Sequence, residues 1–196
     1  MATKLSLRIH RVACIDETNG KYMEKIGNDE ICLGGLALNN QGETIKIPPF
    51  SVYPHFDDGD VKAYNPPKIF YTFPLTASGN WPKGFGITFI LIEKDAGGME
   101  AAVAAIADAS KNYLATHFKA LVLSPPTIPS PKPPLPDLRR LLPTFKDDVF
   151  YPQFVSLSIP GPSFSWSGSL DSVEKTVNFR DHGGHYALTY DWLLHG

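Results

Sequence analysis

Polar and apolar positions begin to alternate almost at the start of the chain. Leu5, Leu7 and Ile9 alternate with Ser6, Arg8 and His10, the period of a strand buried on one face. Residues 5–15 therefore read as a first strand, followed by a polar loop from Asp16 to Glu30 with Gly20 and Gly27 as turn residues. Ile31, Leu33, Leu36 and Leu38 mark a second strand. Asn39-Asn40-Gln41-Gly42 then supplies turn chemistry before Thr44–Ile47, so this pair reads as a hairpin. Ile69–Leu75 alternates again, and Ile87–Ile92 is a β-branched apolar run suited to a central strand. Strand signals return at Phe154–Ile159, Ser163–Gly168, Val173–Phe179 and Tyr186–Leu194.

Between these two groups of strands the period changes. Met99, Val103, Ile106, Ser110, Tyr113, Leu114 and Leu121 recur at three and four residues, which predicts one amphipathic helix over about 99–122 with Ala102 away from the centre of its stripe. Residues 125–136 carry seven prolines and read as a rigid surface connection, with a docking site for a proline-recognising partner as the alternative. Leu138–Leu142 reads as one helical turn. Residues 1–196 are thus expected to form a single, mainly β domain. The expected fold is an antiparallel β-sandwich with one inserted α-helix and a proline-rich connection.

Composition narrows the function more than the fold. With 43% hydrophobic and 19% charged residues, the 196-residue chain can build a core without a covalent staple. A net charge of −2 argues against a general nucleic-acid binder. No apolar run approaches the roughly 20 residues of a membrane span, and no signal core opens the chain, so a soluble product of cytoplasmic synthesis is expected, export without a leader staying open. Cys14 and Cys32 are expected to be buried, reduced thiols.

Acidic residues gather at the ends of the predicted strands: Asp16-Glu17, Asp29-Glu30, Asp57-Asp58-Gly59-Asp60 and Glu93-Lys94-Asp95. Calcium takes six to eight oxygen ligands in flexible geometry, and loops at one pole of a sandwich can supply them. Carboxylates brought together there repel unless a cation, or a basic side chain such as Lys21, Lys25, Lys62 or Lys94, compensates. On this ground Asp57, Asp58 and Asp60 are candidate calcium ligands. The run resembles half of an EF-hand loop, but no acidic residue follows at the right distance and no helices flank it.

The order of features over about residues 5–98 resembles the C2 domain family. In that family a strand leads to an acidic first loop and then an Asp-Pro-Tyr-like step, where this chain has Asp16 and then Asn28-Asp29-Glu30-Ile31. A phenylalanine-rich strand, an apolar strand and an Asp-x-Asp-x-Gly loop follow, matched here by Ile69–Phe73, Ile87–Ile92 and Glu93-Lys94-Asp95-Ala96-Gly97. The resemblance implies a C2-like sandwich with Asp16, Asp29, Glu93 and Asp95 as calcium ligands. It further implies that an anionic lipid or an acidic protein surface completes the calcium shell. The chain departs from the pattern in its long first loop, in Asp-Glu-Ile for Asp-Pro-Tyr, in Glu93 for the first aspartate, and in the helix and prolines that come next.

Two other constellations offer alternatives. Asp181-His182-Gly183-Gly184-His185 reads chiefly as a hairpin turn, and otherwise as a transition-metal site serving a small metal-dependent hydrolase. Trp81, Trp166, Trp192, Tyr53, Tyr64 and Tyr151 offer flat faces for a carbohydrate-binding module, with Trp81 in a loop and Trp192 at a core position. The chain has no nucleophile elbow or phosphate loop, so a binding module rather than an enzyme is expected.

Overall fold

The computed structural model of the chain describes residues 1–17, 29–94, 99–122 and 147–196. Its elements are β1 (Lys4–Asp16), β2 (Asp29–Leu38), β3 (Thr44–Phe56), β4 (Val61–Pro74), β5 (Lys83–Glu93), α1 (Met99–Val122), β6 (Asp148–Val149), β7 (Gln153–Ile159), β8 (Lys175–Asp181) and β9 (Gly184–His195). The first sheet runs β4-β1-β9-β8. The second runs β3-β2-β5-β6, with β7 also paired to β5, and the two antiparallel sheets pack as a sandwich. No helix among the described residues is long and apolar enough to cross a membrane.

The apolar phase of β1 explains a kink in the first sheet. Leu5, Leu7 and Ile9 point into the core, and so do Val12 and Cys14, so the inward set slips by one residue between Ile9 and Val12. The register to both neighbours shifts between Ile9 and Arg11, where a bulge at His10 absorbs the extra residue. Without it, every apolar side chain beyond Ile9 would face out.

Prolines hide the true length of two strands. The sequence ends a strand at Ile47 and restarts at Ile69, yet β3 continues past Pro48, Pro49 and Pro54, and β4 starts at Val61 and includes Pro66 and Pro67. Both are edge strands, where a missing N–H need not break a ladder. Residues 163–168, expected to be extended, instead approach a turn: Trp166 and Ser169 exchange backbone hydrogen bonds of 2.9 Å, with positive φ at Ser167 and Gly168. The expected β2–β3 hairpin is present, and the Asn39 carboxamide oxygen accepts from the Gln41 and Glu43 backbone. The proline-rich residues 125–136 and the expected turn at Leu138–Leu142 lie outside the described residues.

The helix covers the outer face of the second sheet. Ala102, Val103, Ile106, Ala107 and Leu114 pack with Leu36, Leu38, Ile90, Ile92 and Val149 in a second apolar layer. Tyr113 is only half-buried and stacks on His117, and the side chain of Leu121 is outside those described. Gly34 permits the close approach: a Cβ there would lie 2.9 Å from Val103 Cγ2. Ala102, four residues before Ile106, belongs to the buried stripe rather than off its centre, because i and i+4 share a helix face.

Ile106→Asp should therefore lower stability by roughly 3 kcal/mol or more, and Ala102→Asp should be severe too, both read as the urea midpoint of the main transition. If Ile106→Asp loosened only the helix and left that transition unchanged, the helix would not be part of the cooperative core. In the same layer the hydroxyl of Thr88 is buried without a hydrogen-bond partner. Thr88→Val keeps the shape and removes that polar atom, so it should stabilise by about 1 kcal/mol in the same assay.

Candidate functional site

Strand pairing brings the acidic segments to one pole. Asp16 at the end of β1 pairs with His185 near the start of β9, and Asp29 at the start of β2 pairs with Phe56 at the end of β3. Ile31 pairs with Glu93, which ends β5 and lies opposite Asp148 of β6. The β3–β4 turn is tied to β1 by two backbone bonds, Cys14 N–H to Asp60 O at 2.8 Å and Gly59 N–H to Cys14 O at 3.1 Å. Asp16, Asp29, Asp57, Asp58, Asp60 and Glu93 thus share this pole. Asp95 lies outside the described residues.

Sharing a pole has not gathered them around one point. Among the described residues no three His, Cys, Asp or Glu side chains form a group that could hold a metal ion. Local hydrogen bonds explain much of the spacing. Asp57 accepts from the Asp58 N–H at 2.9 Å, and Asp60 accepts from the Asp57 N–H at 3.2 Å. Asp58 reaches across to accept the Glu17 N–H at 2.9 Å, linking the β3–β4 turn to the end of β1. Asp29 is only 5% exposed and accepts a short hydrogen bond from the Tyr186 hydroxyl. Asp57 and Asp58 are exposed, while Glu17, Glu93 and Asp147 are buried.

Of the lysines that could offset this charge, one pairs within the acidic clusters and another stands over a ring. The Lys94 ammonium bonds both Glu30 carboxylate oxygens at 3.0 Å, and Lys62 stands 5.9 Å over the ring of Tyr64. Lys21 and Lys25 lie outside the described residues.

Below the acidic turn lies an aromatic floor. Tyr186 packs edge-on to Phe56 and Phe150, which holds its hydroxyl at Asp29. Burial and the bond to Asp29 raise the Tyr186 pKa far above the usual phenol range. Burial also pushes the Cys14 thiol up to about 12, against the opposing effect of a hydrogen bond with Tyr186, and the Cys32 thiol up to about 11. Both cysteines are buried and free of disulfide, as their number and spacing suggested. Thiols so shifted stay protonated at neutral pH.

The histidine motif forms the β8–β9 hairpin turn. His182 and Gly183 both have positive φ, which a two-residue primed turn requires. His182 contacts Asp148 at 3.3 Å and the Val149 carbonyl at 3.2 Å, whereas His185 meets the Asn178 carboxamide at 3.0 Å. The two rings serve different partners. Trp192 is in the core, as its alternation suggested. Trp81 is half-buried: its indole N–H donates to Ala77 O at 3.3 Å and Lys83 Nζ stands 4.6 Å from its ring centre.

Sequence reasoning missed a second charged cluster, on the outer face of the first sheet. Arg8 holds Asp191 through two nitrogens and Asp171 through one, and His10 lies 3.2 Å from both Asp191 and Glu174. The polar phase of β1 put Arg8 and His10 on that face, but only the β1–β9 register sets Asp191 opposite Arg8. Compared with family models, curated proteins and solved structures, the chain matches none.

The Tyr186–Asp29 bond makes a pH-dependent prediction. In the unfolded chain the phenol ionises near 10.0, while the folded chain retains its proton. The unfolded state then binds fewer protons, so this contribution is complete below pH 10 and is lost as pH rises. Tyr186→Phe should cost about 1–3 kcal/mol at neutral pH and flatten the alkaline loss of stability. Urea titrations on either side of pH 10 check both, and an unchanged alkaline slope would assign the loss to other groups such as Cys14.

Proposed function

We propose that the chain is a calcium-binding recognition module whose acidic pole engages an anionic lipid or an acidic protein surface. The observation that carries this reading is the convergence on one pole of Asp16, Asp29, the Asp57–Asp60 turn and Glu93 from four separate strand ends. The order of Asp16, Asp29 and Glu93 along the chain is also what the C2-like resemblance leads one to expect, whereas the Asp57–Asp60 turn is a candidate on its loop chemistry alone.

The chemistry follows from what the pole lacks as much as from what it holds. An ion bound among carboxylates that do not close around it takes its remaining oxygens from water and from the partner. A lipid phosphate or a partner carboxylate then completes the shell, so partner binding and ion binding strengthen one another. Asp58 is the favoured contact because it is exposed and its Oδ1 already bridges two of the converging segments. A carboxylate that accepts one N–H keeps lone pairs for a cation.

Calcium should raise the melting temperature of chelator-treated protein, since an ion held only by the folded state stabilises it by mass action, about 2.7 kcal/mol at 100 times the dissociation constant. Asp58→Asn retains an acceptor for the Glu17 N–H while removing charge, so it should reduce the shift without unfolding the protein. Sedimentation with anionic liposomes, with and without chelator, reads the partner step. No melting shift in millimolar calcium sinks the proposal.

A further inference from the structure

The free edge of the first sheet carries a second inference. Among the described residues β8 pairs on one side only, with β9. Asp181 and Gly184 flank the two-residue turn and form its closing hydrogen-bonded pair, so Lys175, Val177, Phe179 and Asp181 direct their backbone groups toward β9. The backbone N–H and C=O groups of Thr176, Asn178 and Arg180 point the other way, to the open edge.

This edge differs from the others. β3 and β4 are interrupted by Pro48, Pro49, Pro54, Pro66 and Pro67, which cannot donate to an added strand. β7 is free of proline but has no charged residue to select a register. β8 is free of proline and bears Lys175 at one end and Asp181 at the other. It is also held in place: His182 at its tip contacts Asp148 and Val149 of β6. Its outward side chains lean back on β9, Thr176 on Thr189 at 3.2 Å and Asn178 on His185 at 3.0 Å.

We infer that a second copy of this chain pairs with β8 antiparallel to itself, about a two-fold axis at Asn178. That register uses all seven residues of the strand. Asn178 faces Asn178 of the other copy and Thr176 faces Arg180, and these are the pairs that exchange backbone hydrogen bonds across the open edge. Val177 faces Phe179, both buried, so the apolar interior continues across the junction. Lys175 faces Asp181 at each end, an opposite-charge pair made twice by symmetry. Charges that guard the edge against arbitrary strands thus become complementary against a copy in this register. The two four-stranded sheets join into one of eight strands, and the Asp181 end of the junction lies at the same end of the sandwich as Asp16.

Light scattering and sedimentation equilibrium on the whole chain, over a series reaching about 1 mM, test this. The wild type should reach the mass of two chains. Asn178→Pro removes an outward N–H and should give the mass of one chain, with near-ultraviolet circular dichroism reporting whether it folds. Lys175→Asp and Asp181→Lys should each weaken association at least about tenfold, and the double exchange should restore it. Should Asn178→Pro fail to fold, the charge series decides. A wild type that stays at one chain throughout overturns the inference. So does a two-chain mass that both single charge variants leave unaltered, which would mean association through another surface.

Discussion

β2 and β5 are apolar on both faces, so the second sheet cannot meet water on either side. Leu33 and Ile31 of β2, with Phe85, Ile87, Phe89 and Leu91 of β5, face the first sheet; Leu36, Leu38, Ile90 and Ile92 face away from it. Burying one face makes the sandwich. Burying the other requires α1, which is why a helix stands between β5 and β6. The close fit of that layer depends on Gly34, since any side chain there would meet Val103. An antiparallel sheet with both faces covered is less common than one with a solvated face, and here the covering element comes directly from the sheet's central strand.

The first sheet solves the opposite problem. Its inner face is apolar, while its outer face carries a polar ladder of Ser6 with Thr72 and His195, Arg8 with Asp191 and Asp171, and Thr176 with Thr189. Asp191 is only 3% exposed, yet two guanidinium nitrogens of Arg8 satisfy it. A paired buried charge contributes little net stability but penalises any register that separates the partners. That ladder and the bulge at His10 together hold β1 in register against β4 and β9, and so set where the end of β1 stands relative to the β3–β4 turn.

The acidic pole follows from those registers. Asp57 and Asp60 shape their own turn by accepting backbone N–H groups, and Asp58 ties it to Glu17. Asp29 differs in kind, being buried against Tyr186 and the aromatic floor. One end of the sandwich therefore combines a rigid, buried carboxylate with exposed ones on a braced turn.

The local pattern by itself determined the mainly β class, the helix at 99–122, the central place of Ile87–Ile92, the β2–β3 hairpin and a turn within Asp181–His185. Each depends on side-chain period or turn chemistry, which a few neighbouring residues contain in full. It also named the acidic pole's residues, because a carboxylate at a strand end is visible without a structure. The lengths of β3 and β4 were decided by tertiary structure, since a proline blocks a central strand but is tolerated on an edge. So were the burial of Ala102, which depends on how closely the helix sits, and the pairing of Arg8 with Asp191 across most of the chain. Whether carboxylates at one pole meet, and whether a tyrosine far along the sequence donates to one of them, depends on register between strands. No local pattern contains that information, because register arises from the whole interior packing at once.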